Sequence, residues 1–168
     1  MKATSIMLQS DRFAVEWGDD GDASPPPGHD FADALLKRIC MAGADSSLED
    51  LPLDWWEHSN WFFSVTWRDT TYNLSVEPSP NDTCPPTWVV GVSKSLGLLK
   101  SLFGNNALRH EVDDAFLRIV ENCTREVAMV ESVEWLTEDE AVERLWGAAP
   151  NQREQDGGGQ PPTRPESK

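Results

Sequence analysis

A run of aromatic and β-branched residues between positions 61 and 76 constrains the fold of this chain more than any other feature. Residues 61–67 read WFFSVTW and residues 72–76 read YNLSV, with a turn predicted at 68–70. Every second residue is large and apolar, which is the period of a half-buried strand. The pattern predicts a β-hairpin. Its apolar face comprises Trp61, Phe63, Val65, Trp67, Tyr72, Leu74 and Val76.

Further strands are predicted on both sides of this hairpin. Residues 87–93 alternate in the same way and predict a third strand after a proline-rich loop. Short links between three consecutive strands favour an antiparallel meander. Ile6, Leu8 and the segment 13–17 suggest an N-terminal strand or hairpin, and residues 127–135 suggest a strand near the other end.

Three helices are predicted from apolar residues at helical spacing. The first begins with Asp30 as its N-cap and ends at Gly43. The second runs from about 106 to 123. The third opens with a capping box, Thr137 and Glu140, and ends at Gly147.

These elements predict an α+β protein with an antiparallel sheet of three to five strands and two or three helices packed on one face. The length of 168 residues suits one domain, which we place at 1–150. Residues 151–168 hold glycine, proline and charged residues with no apolar periodicity. We expect them to be a disordered tail, because they offer nothing to bury against the entropy of ordering.

The charge balance limits the classes of partner. The chain has 14 Lys and Arg against 29 Asp and Glu, a formal net charge of −15. Such a surface repels nucleic-acid phosphates and anionic lipid and attracts basic proteins. We therefore expect a basic protein partner and neither nucleic acid nor membrane, although the acidity could also serve solubility alone. The oligomeric state is left open.

Cysteine usage and hydropathy point to the cytoplasm. Cys40, Cys84 and Cys123 are odd in number and widely spaced, which favours neither a disulfide framework nor a zinc site. The first ten residues lack the apolar core of a secretory signal, and no stretch approaches the roughly 18 apolar residues of a membrane span. We expect a cytoplasmic protein.

Candidates for catalysis and metal binding are incomplete. His110 and Asp114 share a predicted helix face, but a zinc-protease helix needs histidine at both positions. The acidic residues at 19–22 lack the later ligands of a calcium loop. We expect no metal and no cofactor. A small hydrolytic enzyme with a cleft near His58 and His110 remains the alternative hypothesis.

The tryptophans provide the candidate binding residues. Five of the eight lie between 54 and 88. Most aromatic side chains of a small sheet serve as core, but Trp55, Trp56 and Phe62 do not belong to the apolar face of the hairpin. Aromatic residues are favoured at binding hot spots. These three residues are therefore the tentative partner-binding set.

The sequence favours a non-enzymatic acidic protein-binding module over an enzyme, and a structural subunit of a larger assembly is a further alternative. Its size, low pI and helix–meander–helix order resemble those of secretion chaperones and of bacterial immunity proteins, which neutralise toxic effectors. This resemblance implies a chaperone-like or an immunity- or inhibitor-like role. It rests on no motif, and no residue takes a role from it.

Overall fold

The computed structural model describes residues 2–16, 26–46, 54–56, 60–79, 83–96 and 111–146, with the backbone alone at 54–56 and at Trp146. The predicted tail at 151–168 lies outside the described residues. The elements, in chain order, are β1 Ser5–Gln9, α1 His29–Met41, β2 Asp45–Ser46, β3 Asp54–Trp56, β4 Asn60–Trp67, β5 Thr70–Pro78, β6 Thr87–Lys94, α2 Asp114–Ala128, β7 Glu134–Leu136 and α3 Glu138–Trp146.

The strands form one antiparallel sheet, which confirms the α+β class. The order across the sheet is β2-β4-β5-β6-β1-β7, and β3 pairs with β4 beside β2. The sheet is thus six positions wide, slightly more than predicted. The meander of β4, β5 and β6 is the predicted one.

A two-residue turn joins β4 to β5. Arg68 and Asp69 both have positive φ, 48° and 62°, and Thr70 already belongs to β5 as the partner of Trp67. The prediction of a turn over 68–70 was one residue too long. Two residues with positive φ match the right-handed twist of a hairpin, whereas most other two-residue turns splay the strands.

The main core lies between one sheet face and helices α1 and α2. All seven apolar residues predicted to share a hairpin face are buried in it. Phe116 of α2 stacks on Tyr72 at a ring-centroid distance of 4.2 Å and lies 5.7 Å from Trp67. Phe31 of α1 meets Trp88 edge to face at 5.4 Å. Two helices therefore pack on this face.

Helix α1 begins two residues earlier than predicted. Its N-cap is Gly28, which has φ 101°, and Asp30 lies in the first turn rather than at the cap. The chain must turn closely over Trp88 here, because a Cβ on Gly28 would lie 2.6 Å from that indole. The helix ends at Met41, two residues before Gly43, where the end was predicted, and Gly43 has a positive φ of 101°.

Helix α2 differs from the predicted span of 106–123, of which residues 106–110 lie outside the described residues and residues 111–113 are not helical. It begins at Asp114, because the side chain of Asp113 accepts a hydrogen bond from the backbone of Ala115 at 2.7 Å and caps it. It runs on to Ala128, so the strand predicted at 127–135 is wrong except for β7. Val127 continues the buried stripe of the helix.

The N-terminal segment departs from the prediction, whereas the last helix begins as predicted. No strand forms in the described part of 13–17, residues 13–16, and β1 instead pairs with β6 and β7. Helix α3 opens as predicted: Glu140 N–H donates to Thr137 Oγ1 at 3.3 Å, and Thr137 N–H donates to Glu140 Oε2 at 2.8 Å. This helix buries Ala141 and Leu145 against a second cluster, on the opposite face of the sheet from α1 and α2.

Candidate functional site

The sheet face that points away from α1 and α2, here called the second face, carries the alternate residues of each strand. Phe62, Ser75 and Gly91 lie side by side across β4, β5 and β6. Asn60 and Glu77 are neighbours one row away, as their adjacent residues are Cα partners. Opposed residues of antiparallel strands have Cβ atoms about 5 Å apart, so these side chains interact directly.

Helix α3 covers only one side of the second face. Its buried Ala141 and Leu145 pack with Val89, Leu136 and the half-buried Met7. These residues belong to β6, β7 and β1, so the helix covers that half of the sheet. Beside the helix, over β4, β5 and β6, a groove of about 660 Å³ remains.

The lining of this groove combines apolar and hydrogen-bonding groups. Phe62 lies on β4, Ser75 and Gly91 form part of the floor, and Val142 of α3 contributes a side chain that is 51% exposed. The carboxyl group of Glu77 adds a charge. A ligand here would meet both a hydrophobic surface and hydrogen-bond acceptors.

Gly91 lines the groove and lies opposite Ser75 of the neighbouring strand. A Cβ at this position would lie 2.6 Å from Oγ of Ser75, so the serine side chain occupies the space that a larger residue would need. Real Cβ atoms do not approach an oxygen so closely without displacing it. Glycine therefore permits the close packing of β5 against β6.

Glu77 is the group in the groove with a perturbed ionisation. It is half-buried, and this burial raises the pKa of its carboxyl group, because the charged form loses water; the hydrogen bond from Asn60 opposes the shift. That bond is long, 3.4 Å from Asn60 Nδ2 to Glu77 Oε2. No described basic side chain pairs with Glu77. The ionised carboxylate of Glu77 thus loses hydration and gains few hydrogen bonds and no described ion pair in return.

The side chain of Asn60, beside this carboxylate, has an unsatisfied hydrogen-bond acceptor. Its Oδ1 is buried and has no hydrogen-bond partner. Turning the amide over would bring Oδ1 against the carboxylate of Glu77, so the ionised carboxylate favours the observed orientation. Asn60 Oδ1 therefore lacks a donor and is closed to solvent, whereas the Glu77 carboxylate beside it lines the groove and accepts one long hydrogen bond.

Nearer the β4–β5 turn, the polar side chains of the two strands form hydrogen bonds with each other. Ser64 donates to Asn73 Oδ1 at 2.7 Å, and the hydroxyls of Thr66 and Thr71 lie 3.2 Å apart. Such cross-strand pairs stabilise the hairpin. The unfulfilled acceptors are therefore confined to the Asn60–Glu77 end of the groove.

A second concave region, of about 600 Å³, lies between β7 and α3. Its acidic residues are largely engaged in the fold. Glu140 caps α3, which lowers the pKa of its carboxyl group through hydrogen bonds from Thr137. Glu134 pairs with Arg144 at 3.2 Å. This region offers fewer groups to a ligand than the groove does.

The structure locates one of the three predicted binding residues in the groove. Phe62 lines it and is half-buried. Trp55 and Trp56 belong to β3, where only the backbone is described, and Trp56 is the Cα partner of Asn60. Their side chains, and both His58 and His110 of the hypothetical hydrolytic cleft, lie outside the described residues.

Sequence reasoning did not identify Asn60, Glu77 and Val142 as residues that line the groove. The alternation of β5 already placed Glu77 on the face opposite the core, but it gave no neighbour for it. A two-residue turn would have supplied that neighbour, because it fixes the hairpin register. Val142 could not be found, since the packing of α3 on this face has no local signal.

The described residues also show the state of the cysteines, and they contain neither a metal cluster nor a helix that could span a membrane. All three cysteines are unpaired, with Cys84 exposed and Cys123 buried. Within the described ranges, no three His, Cys, Asp or Glu side chains come together as a metal site. In the same ranges, no helix is long and apolar enough to cross a membrane.

Comparisons with known proteins give no match: neither a family model, nor a curated protein, nor a solved structure resembles this chain significantly.

Proposed function

We propose that this chain is a non-enzymatic protein-binding module that engages a basic protein partner through the groove on its second face. The observation that carries the proposal is the half-buried carboxylate of Glu77, which has one long hydrogen bond and no described basic partner in a groove with apolar walls. A desolvated carboxylate with few donors destabilises a fold, and a ligand with N–H groups would relieve that loss.

Charge supports a basic partner. The described residues that line the groove include Glu77 and Glu138 and no Lys or Arg. The chain as a whole has a formal charge of −15. A field of one sign around a groove steers an oppositely charged protein toward it and raises the association rate.

The apolar part of the groove supports short-range binding. Phe62 and Val142 line it, and aromatic side chains in partly desolvated sites contribute strongly to binding free energy. The proposal keeps Phe62 as a partner-binding residue. Trp55 and Trp56 remain tentative members of the same set.

The proposal is for a cytoplasmic protein, because three unpaired cysteines suit a reducing compartment. An immunity- or inhibitor-like role and a chaperone-like role are both forms of it. They differ in whether the partner is inactivated or only kept soluble, so an activity assay of the bound and free partner separates them.

Site-specific crosslinking tests where the partner binds. Phe62 is replaced by p-benzoylphenylalanine and, as a matched control, so is Met41, which is 79% exposed at the end of α1. A purified basic protein that crosslinks at position 62 and not at 41 supports the proposal. Crosslinking at 41 alone, or equally at both positions, contradicts it.

Association kinetics test the electrostatic part. Charges on exposed groups are screened over a Debye length of about 8–10 Å at 0.1–0.15 M salt. The rate of association between the unmodified protein and the partner identified by crosslinking should therefore fall steeply as the salt concentration rises. The dissociation rate should change less. An association rate that is flat across salt, or a strongly acidic partner, would refute this part.

A further inference from the structure

We propose that the Asn60–Glu77 end of the groove is a receptor for one arginine side chain of the partner, whose guanidinium group binds the Glu77 carboxylate and packs against Phe62. This inference deepens the proposed function and rests on it. It identifies the chemical group that the groove recognises.

The Glu77 carboxylate can accept more hydrogen bonds than it receives. Asn60 Nδ2 donates to Oε2 of Glu77 over 3.4 Å, which leaves the carboxylate poorly satisfied. Glu77 lines the groove, and no described basic side chain pairs with it. A ligand that presents two N–H groups in one plane would satisfy both carboxylate oxygens at once.

A guanidinium group meets this demand. It is planar, carries five N–H donors in a rigid fork and is always charged. A lysine ammonium group is a compact point charge that is strongly hydrated, so it is less suited to a two-pronged contact with one carboxylate in a partly desolvated groove. A divalent cation is a poor candidate, because one carboxylate falls short of its ligand number.

The rest of the groove suits the stem of such a side chain. Phe62 lies on the same face as Asn60, two residues along β4, and Val142 lines the groove from α3. Arginine buries its methylene groups along apolar surface and stacks its head on aromatic rings.

Small amides of known charge test the receptor directly on the full chain. N-acetyl-arginine amide, its neutral isostere N-acetyl-citrulline amide and N-acetyl-lysine amide are titrated into the isotopically labelled protein. The side-chain amide signals of Asn60 are followed by nuclear magnetic resonance. Arginine amide should shift them with an affinity about tenfold or more above that of citrulline amide, since bonds between charged groups are the stronger ones.

Two charge-matched variants locate the binding. Glu77→Gln should weaken arginine amide by about tenfold or more. Glu131→Gln, which removes an exposed carboxylate from the segment between α2 and β7, should change the affinity by less than about twofold, as for an exposed, screened charge. Backbone spectra of both variants verify that the fold is retained.

The outcomes separate this inference from the proposed function. Equal affinities for the arginine and citrulline amides, a stronger affinity for the lysine amide, or equal losses in the two variants would overturn the arginine receptor. A partner that crosslinks at Phe62 while Glu77→Gln leaves its dissociation rate unchanged would also overturn the receptor, yet leave the binding module standing. Binding that is specific for arginine amide, in a protein for which no basic protein partner is found, would support the arginine receptor and overturn the proposed binding module.

Discussion

The two glycines at the ends of α1 allow the packing of the buried core to be measured against a matched control. Gly28 and Gly43 have the same φ of 101°, a conformation that residues with a Cβ rarely adopt. A Cβ on Gly28 would lie 2.6 Å from Cζ3 of Trp88, which is fully buried, whereas a Cβ on Gly43 would have nothing within 4 Å. Alanine at Gly43 therefore adds backbone strain alone, and alanine at Gly28 adds strain and steric overlap.

The expected losses of stability follow from these two contributions. The left-handed conformation disfavours alanine by about 1–2 kcal/mol, which is the expected effect of Gly43→Ala. Overpacking of a filled core adds about 1–3 kcal/mol, so Gly28→Ala should lower the free energy of unfolding by about 2–5 kcal/mol. Trp88 cannot easily yield, because Phe31 and Phe13 meet its ring at centroid distances of 5.4 and 6.3 Å.

Urea unfolding followed by far-ultraviolet circular dichroism measures both variants. The contact with Trp88 is tested separately by the double variant Gly28→Ala with Trp88→Leu, whose loss should be smaller than the sum of the two single losses, because the overlap is gone. If Gly28→Ala and Gly43→Ala destabilise the protein equally, or the double variant is additive, then Trp88 does not lie against Gly28 as described.

Three further predictions concern the hairpin. Trp67→Ala should lower the free energy of unfolding by about 3–5 kcal/mol in urea titrations, because the ring is 7% exposed and packs near Phe116. Asp69→Gly should raise it by about 0.5 kcal/mol in the same assay, since glycine adopts the φ of 62° without strain. Glu77→Gln should raise the thermal midpoint at pH 7. Burial puts the folded-state pKa of Glu77 above the ordinary 4.5, so stability falls as pH rises from that value through the folded-state pKa, and the advantage of glutamine should vanish in scans below pH 4.5.

The hairpin and the meander could be predicted because their information is local. Alternation along β4, β5 and β6 assigns every side chain to a face, and the buried residues are the ones that this alternation indicated. The register was not available from the same pattern. A turn of three residues would have opposed Asn60 to Pro78, and only the two-residue turn at Arg68 and Asp69 brings Asn60 to Glu77.

The remaining errors have non-local causes. β1 lies between β6 and β7, which are far away in sequence, so no local pattern reports its pairing. The start of α2 was misplaced because Val112 fits the helical spacing and is buried, although it precedes the helix. The cap at Asp113 decides the boundary, and several acidic residues nearby could have served equally well.

Unfulfilled polar groups indicate a binding site only where a ligand can reach them. Besides Asn60 Oδ1, two other buried side-chain atoms in the described residues lack partners: Nε1 of Trp88 and Oγ1 of Thr124. Both residues are fully buried, so they destabilise the fold without offering a contact to a partner. Asn60 Oδ1 is likewise closed to solvent, but Glu77 beside it lines the groove, where a ligand can reach its carboxylate. A basic ligand there would supply the hydrogen-bond donors that the carboxylate lacks, so the free energy that folding loses at this point of the sheet is recovered on binding.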